Sequence, residues 1–207
     1  MSINGLPAEI KNKKLIVVEG DQDCQFFAKL IDKLDIKGVY VLGIGGKGNF
    51  NDDLQRLHRR PGFSSLTHFA VIRDKDEDNA FESIVKILQD KDKMNISPVP
   101  SAPGVFTTGK PKTGVFIMPG SIQGKMLEDL CLKSVEDKPE MKCVNDFANC
   151  VSRLESPPKN PSKSKVLAFL ASQPEDANTV GQGAEKNYWN LDAPCLNELK
   201  TFLNNLR

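Results

Sequence analysis

The sequence predicts an α/β protein: a mainly parallel four-stranded sheet flanked by helices, with a helical C-terminal extension. Three observations predict it. First, Leu15-Ile16-Val17-Val18 and Phe69-Ala70-Val71-Ile72 are short, unbroken apolar runs rich in β-branched residues, as expected of strands buried on both faces. Second, such runs alternate with segments whose apolar residues follow helical spacing, the order that builds a parallel sheet with helical crossovers. Third, both runs end in acids, Glu19-Gly20 and Arg73-Asp74-Lys75-Asp76. That is the carboxyl edge, where open α/β sheets place their ligands.

Each element has its own local reason. Residues 13–18 form the first strand. Asp21-Gln22-Asp23 then supplies first-turn acids for a helix over 22–34, with Phe26, Phe27, Leu30, Ile31 and Leu34 as its apolar stripe. Lys37-Gly38 ends that helix, and 39–42 reads as the second strand. The glycine-rich turn 43–48 leads to a short helix at 50–59, which Pro61-Gly62 stops. Strand three is 68–72, followed by Asp74, Asp76, Glu77 and Asp78 and by a helix over 79–91. Residues 95–113 hold prolines and glycines and read as an irregular connection feeding a fourth strand at 114–118. Helices follow at 124–132 and 143–154. Ser156-Pro157-Pro158-Lys159-Asn160-Pro161 reads as a breaker, with helix resuming at 166–170 and again at 193–206. The division expected is an α/β core over 1–130 and a helical extension over 131–207 packed on it.

Composition bounds the function. The chain has 207 residues, 39% hydrophobic and 27% charged, with a formal net charge of +1. A near-neutral molecule has no broad attraction for nucleic acid, so binding there needs a local basic patch. No apolar run has the length of a membrane span, and the N-terminus lacks a signal-peptide apolar core. The five cysteines form no Cys-x-x-Cys pair and there are two histidines, which argues against a disulfide framework and a zinc site. The expectation is a reduced, soluble, cytoplasmic protein without a membrane partner.

Glu19, Asp74 and Asp76 are the leading candidates for chemistry. Acids often cap helices and decorate loops, and Asp23 and Asp78 fit that description. Glu19 does not, since it directly follows four apolar strand residues. Carboxylates at two strand ends of one edge suit a hard cation such as Mg²⁺, which takes oxygen ligands. Gly43-Ile44-Gly45-Gly46-Lys47-Gly48 satisfies a G-x-G-x-x-G pattern, but it follows the second strand and its helix starts late. Gly45, Gly46 and Lys47 therefore read as a phosphate contact rather than a dinucleotide site. Residues 104–110 resemble a Walker A loop until Pro111 stands where a hydroxyl must reach magnesium, which excludes it. Lys163, Lys165 and Lys186 are candidate phosphate or transition-state contacts against a background of solvated lysines. Tyr188 and Trp189 either stack on a base or belong to the core. His58 and His68 read as structural, with His58 in a small basic cluster of Arg56, Arg59 and Arg60.

Several of these residues together resemble a known family. Val17-Val18-Glu19-Gly20, the glycine-rich turn after strand two and Asp74-x-Asp76 are similar to the Toprim fold of topoisomerases, bacterial primases and small nucleases. Glu19-Gly20-x-x-Asp23, Gly45-Gly46-Lys47-Gly48-Asn49 and Gly124-x-x-x-Glu128-Asp129 look closer to the stand-alone branch resembling OLD nucleases. The match covers roughly 13–130. The resemblance implies a Mg²⁺- or Mn²⁺-dependent acid site. Glu19 would be metal ligand and general acid/base, Asp74 and Asp76 metal ligands, and Asp23 and Glu128 a second metal position. Lys186 is assigned the catalytic role beside Glu19. The implied activity is hydrolysis of a phosphodiester in DNA or RNA; the alternative is a non-catalytic Toprim-like module binding nucleic acid or protein. The chain has no ATPase motif, strand-passing tyrosine domain or zinc module, so neither a full-length OLD protein, a topoisomerase nor a primase is implied.

Overall fold

The computed structural model describes residues 6–75 and 79–207, and at 46–49 the backbone alone. Four strands, β1 (Lys14–Val18), β2 (Val39–Gly43), β3 (His68–Asp74) and β4 (Lys112–Met118), pair in parallel in the order β2-β1-β3-β4. The chain leaves β1 first toward β2 and later returns to β1's other side as β3. The crevice between the carboxyl ends of β1 and β3 is therefore a topological switch point, the place in such sheets where a ligand fits.

Alternation along the strands makes two apolar layers. Ile16, Val18, Ala70, Ile72, Phe116 and Met118 face one core, packed with Phe26, Phe27 and Leu30 of α1 (Asp21–Lys33). Leu15, Val17, Phe69, Val71 and Val115 face the other. There they meet Phe50 and Leu54 of α2 (Gly46–Leu57) and Ile84, Ile87 and Leu88 of α3 (Ala80–Gln89). Burial on both faces explains why the strands read as continuous apolar runs.

The first core extends into the remaining helices: α4 (Leu127–Ser134), α5 (Glu140–Val151), α6 (Pro161–Ala171), α7 (Val180–Glu185) and α8 (Asn197–Asn204). Leu130, Val144, Phe169, Ala184 and Leu203 belong to the same cluster as Ile16 and Phe26. Trp189 is buried, stacks on Phe169 with ring centroids 5.1 Å apart, and donates its indole N–H to the Val180 carbonyl at 2.8 Å. That aromatic is core, and the base-stacking role weighed for it is set aside. No helix among the described residues is long and apolar enough to cross a membrane.

Three elements differ from the sequence reading. α2 starts at Gly46, inside the glycine motif, where Gly45 takes a left-handed φ of 53° just before it. α6 starts at Pro161, the last residue of the expected breaker. Proline has no N–H to leave unpaired in a first turn, and Asn160 accepts the Lys163 N–H there as the cap. α7 was not expected, because Val180-Gly181-Gln182-Gly183 carries two poor helix formers. Its glycines are needed for approach: a Cβ on Gly181 would meet the Gln25 side chain of α1 at 2.4 Å.

Candidate functional site

Glu19 and Asp74 reach the same crevice from adjacent strands. Glu19 follows the last residue of β1, and Asp74 is the last residue of β3. Two further acids come from helix starts. Asp23 lies in the first turn of α1, where its Oδ2 accepts the Gly20 N–H at 3.1 Å and so fixes the turn behind Glu19. Glu128 lies in the first turn of α4, its side chain only 14% exposed. Leu127, at the head of α4, donates its backbone N–H to Asp74 Oδ1 at 3.1 Å.

The protonation behaviour of Asp74 shows that these acids share one field. Burial, then the charges of Glu19, Asp23 and Glu128, push its carboxyl up to about 9, against a small opposing effect of the Leu127 N–H. Asp23 is raised to about 6, by burial first and then by Glu128 and Glu19, with its Gly20 hydrogen bond and Lys163 acting the other way. Like charges held at one poorly solvated edge behave in this way, and perturbed acids concentrated in a crevice are a mark of functional sites.

Two cations border the acids. Arg73 Nε donates to Glu19 Oε1 at 3.3 Å, both side chains being largely buried. The guanidinium also lies 5.1 Å from the centroid of the Phe50 ring and donates to Asn51 Oδ1 at 3.3 Å, which ties α2 to Glu19. Lys163, in the first turn of α6, places Nζ 3.7 Å from Glu128 Oε1. Asp129, next to Glu128, serves the scaffold. Its Oδ2 accepts the Lys125 and Met126 N–H groups at 2.8 and 3.2 Å, and its Oδ1 accepts the Ser162 hydroxyl at 2.5 Å. That last bond holds the head of α6 against α4, and with it Lys163.

Of the residues singled out in the sequence, the structure brings together Glu19, Asp23, Asp74 and Glu128. Asp76 lies outside the described residues, as do the side chains at Gly46 and Lys47; Gly45 is the turn residue preceding α2. Lys186 caps the C-terminal end of α7 and is ion-paired with Glu175, and none of its described interactions involves an acid of the crevice. Lys165 donates to Asn145. Arg73 was not singled out. The one signal for it was its place beside Asp74 in a strand otherwise apolar, since a cation there must find an acid. Among the described residues, no three His, Cys, Asp or Glu side chains stand close enough to hold a metal ion together as they are.

The donor chemistry nonetheless suits a hard cation. Carboxylate oxygens are the ligands Mg²⁺ and Mn²⁺ prefer, and the cost of charging Asp74 and Asp23, set by burial first and by the neighbouring acids second, is one a cation would offset. Glu19 and Glu128 have the rotatable length to close on such an ion, from β1 and α4.

One close approach sets the geometry of this edge. A Cβ on Gly43, at the end of β2, would stand 2.8 Å from the Gly20 carbonyl carbon. The absence of a side chain at Gly43 is therefore what lets the turn carrying Glu19 pack against β2.

No curated protein matches this chain. Among solved structures, it is similar to the C-terminal region of the Xanthomonas campestris pv. campestris OLD protein, at 12% sequence identity and a TM-score of 0.45, with 94% of each chain covered. A family described as "Protein of unknown function (DUF3226)" matches residues 13–207, almost the whole chain, and the protein therefore belongs to the DUF3226 family.

Proposed function

We propose that this protein is a metal-dependent hydrolase of nucleic-acid phosphodiesters, with the Toprim-like site that its motifs resemble. The observation that carries the reading is the convergence of Glu19, Asp23, Asp74 and Glu128 at the switch point of a parallel sheet, with Lys163 beside Glu128. When bound, a divalent cation supplies Lewis acidity and a more acidic water. Glu19 and Asp74 would hold that cation, Asp23 and Glu128 would offer a second position, and the resemblance assigns Asp76, which lies outside the described residues, as a further ligand. Glu19 would also accept a proton from an attacking water at its carboxylate. Lys163, exposed at its tip, is the cation best placed to meet a non-bridging phosphate oxygen. Lys186 remains a proposed contact for substrate lying further along the extension.

The test is cleavage of labelled DNA and RNA in Mg²⁺ or Mn²⁺ by the wild type, by Glu19→Gln and by Asp74→Asn. Metal-dependent cleavage lost in both variants is the expected result. A second reading, a non-catalytic module binding nucleic acid or protein, is favoured by one observation: the formal net charge is only +1, which gives a polyanionic substrate no broad attraction. Nucleic-acid binding with no cleavage and no Mn²⁺ binding would select that reading.

A further inference from the structure

The outer face of α5 carries an apolar stripe that no described residue covers. Cys143, Phe147, Cys150 and Leu154 are spaced four, three and four apart, so they line up along one side of a helix and its last turn. Both cysteines are exposed and free; Phe147 is 44% and Leu154 55% exposed. On neighbouring α6, Leu167 is 53% exposed. A groove between the two helices is lined by Cys143, Val144, Phe147, Leu167, Ala168 and Ala171. Solvent-facing helix positions are normally polar, and apolar groups gathered in one patch mark an interaction site.

The charges beside the stripe select its occupant. Asp146, paired with Lys142 at 2.9 Å, and Arg153, in the turn that follows α5, border it on the side away from the groove, with Asn149 and Cys150 midway between them. Rotating the helix end over end about an axis at that midpoint brings Asp146 of one copy to Arg153 of the other, and the reverse. The same rotation sets Phe147 level with Ser152 of the other copy, two residues and about 3 Å along the helix axis from Cys150. The face is thus complementary to itself in charge and in apolar pattern, as an isologous interface requires.

We propose that a second copy of this chain docks on this face, α5 antiparallel to α5, each Phe147 seated at the other copy's α5–α6 groove. A 12-residue helix is about 18 Å long, so two such helices per copy give an interface at or below the usual ~800 Å² per partner. The dimer is accordingly one that forms and dissociates in the micromolar range.

Sedimentation velocity on the intact chain, from about 1 to 300 μM, around the ~−8 kcal/mol that corresponds to micromolar affinity, tests this. A concentration-dependent monomer–dimer equilibrium is expected, with Phe147→Asp and Leu167→Asp both monomeric. These side chains are exposed, so circular dichroism should show both variants folded. Asp146→Arg and Arg153→Asp should each weaken dimerisation about tenfold or more, and the double exchange should recover it to within a few-fold. A wild type monomeric throughout overturns the proposal. So does a dimer indifferent to Phe147→Asp and Leu167→Asp, or a double exchange that recovers nothing.

Discussion

Arg73 on β3 donates to Glu19 at the end of β1 across 3.3 Å, and the same guanidinium rests on Phe50 of α2. Glu19 is thus held by a cation that also packs against the helix layer carrying Phe50. Arg73→Met keeps the contact with Phe50 and removes the charge. We expect Mn²⁺ binding to tighten several-fold, because a competing cation has gone, and cleavage to fall, because Glu19 loses its orientation. Isothermal titration with Mn²⁺ and a single-turnover assay read the two effects separately. Weaker Mn²⁺ binding would show instead that Arg73 assembles the site.

The pH dependence of stability follows from Asp74. Its carboxyl is raised to about 9 in the folded chain, against roughly 3.9 when unfolded. Between those values the folded state holds a proton that the unfolded state lacks, so stability without metal falls as pH rises. Asp23, raised to about 6, steepens the acid end of the window. Melting in EDTA should drop between pH 5 and pH 8.5, and Asp74→Asn should flatten much of that slope. With saturating Mn²⁺ the wild type should instead gain stability toward high pH, since proton and cation compete. A flat wild-type profile in EDTA would contradict the burial assigned to Asp74.

Gly43→Ala is a sharp local probe. The new Cβ meets backbone, the Gly20 carbonyl carbon at 2.8 Å, rather than a side chain that can swing away. Forced overpacking of this kind costs about 1–3 kcal/mol, and here it pushes on the turn that carries Glu19. Urea unfolding should report the destabilisation, and Mn²⁺ affinity should fall with it. Unchanged affinity in a destabilised variant would mean that the turn recovers its position elsewhere.

The two lysines separate cleanly. Lys163→Gln should lower cleavage by about tenfold or more, the scale of losing one charged contact to a transition state, with little change in melting. Lys186→Gln removes the pair with Glu175 and is the test of the catalytic role assigned from the sequence. Its placement predicts near-normal cleavage of short substrates. Loss of cleavage equal to that of Lys163→Gln would restore Lys186 to the centre.

The strands were legible because burial on both faces leaves only apolar residues, so Val17-Val18 and Val71-Ile72 stand out and their terminal acids are easily placed. Glu128 was harder to read, as its neighbour Asp129 has the same chemistry and faces the α4 turn and Ser162. Only the packing of α6 on α4 separates their roles. α7 could not be read at all: its helix is held by the Thr179 side chain accepting the Gln182 N–H and by glycine contacts with α1, against its own propensity. Arg73 was hidden for a related reason. Its partner is set by strand order, and strand order is a tertiary fact.

The bond from Ser162 to Asp129 has a consequence in time. During synthesis β1, β3 and α4 leave the ribosome well before α6, so every acid of the crevice is made before Lys163. Until α6 docks, Glu128 lacks the Lys163 ammonium, while Glu19 already has Arg73 of β3 beside it. The serine that fastens α6 therefore acts as a clock as well as a strut: Glu128 gains its neighbouring cation only once the helical extension has been made and folded down.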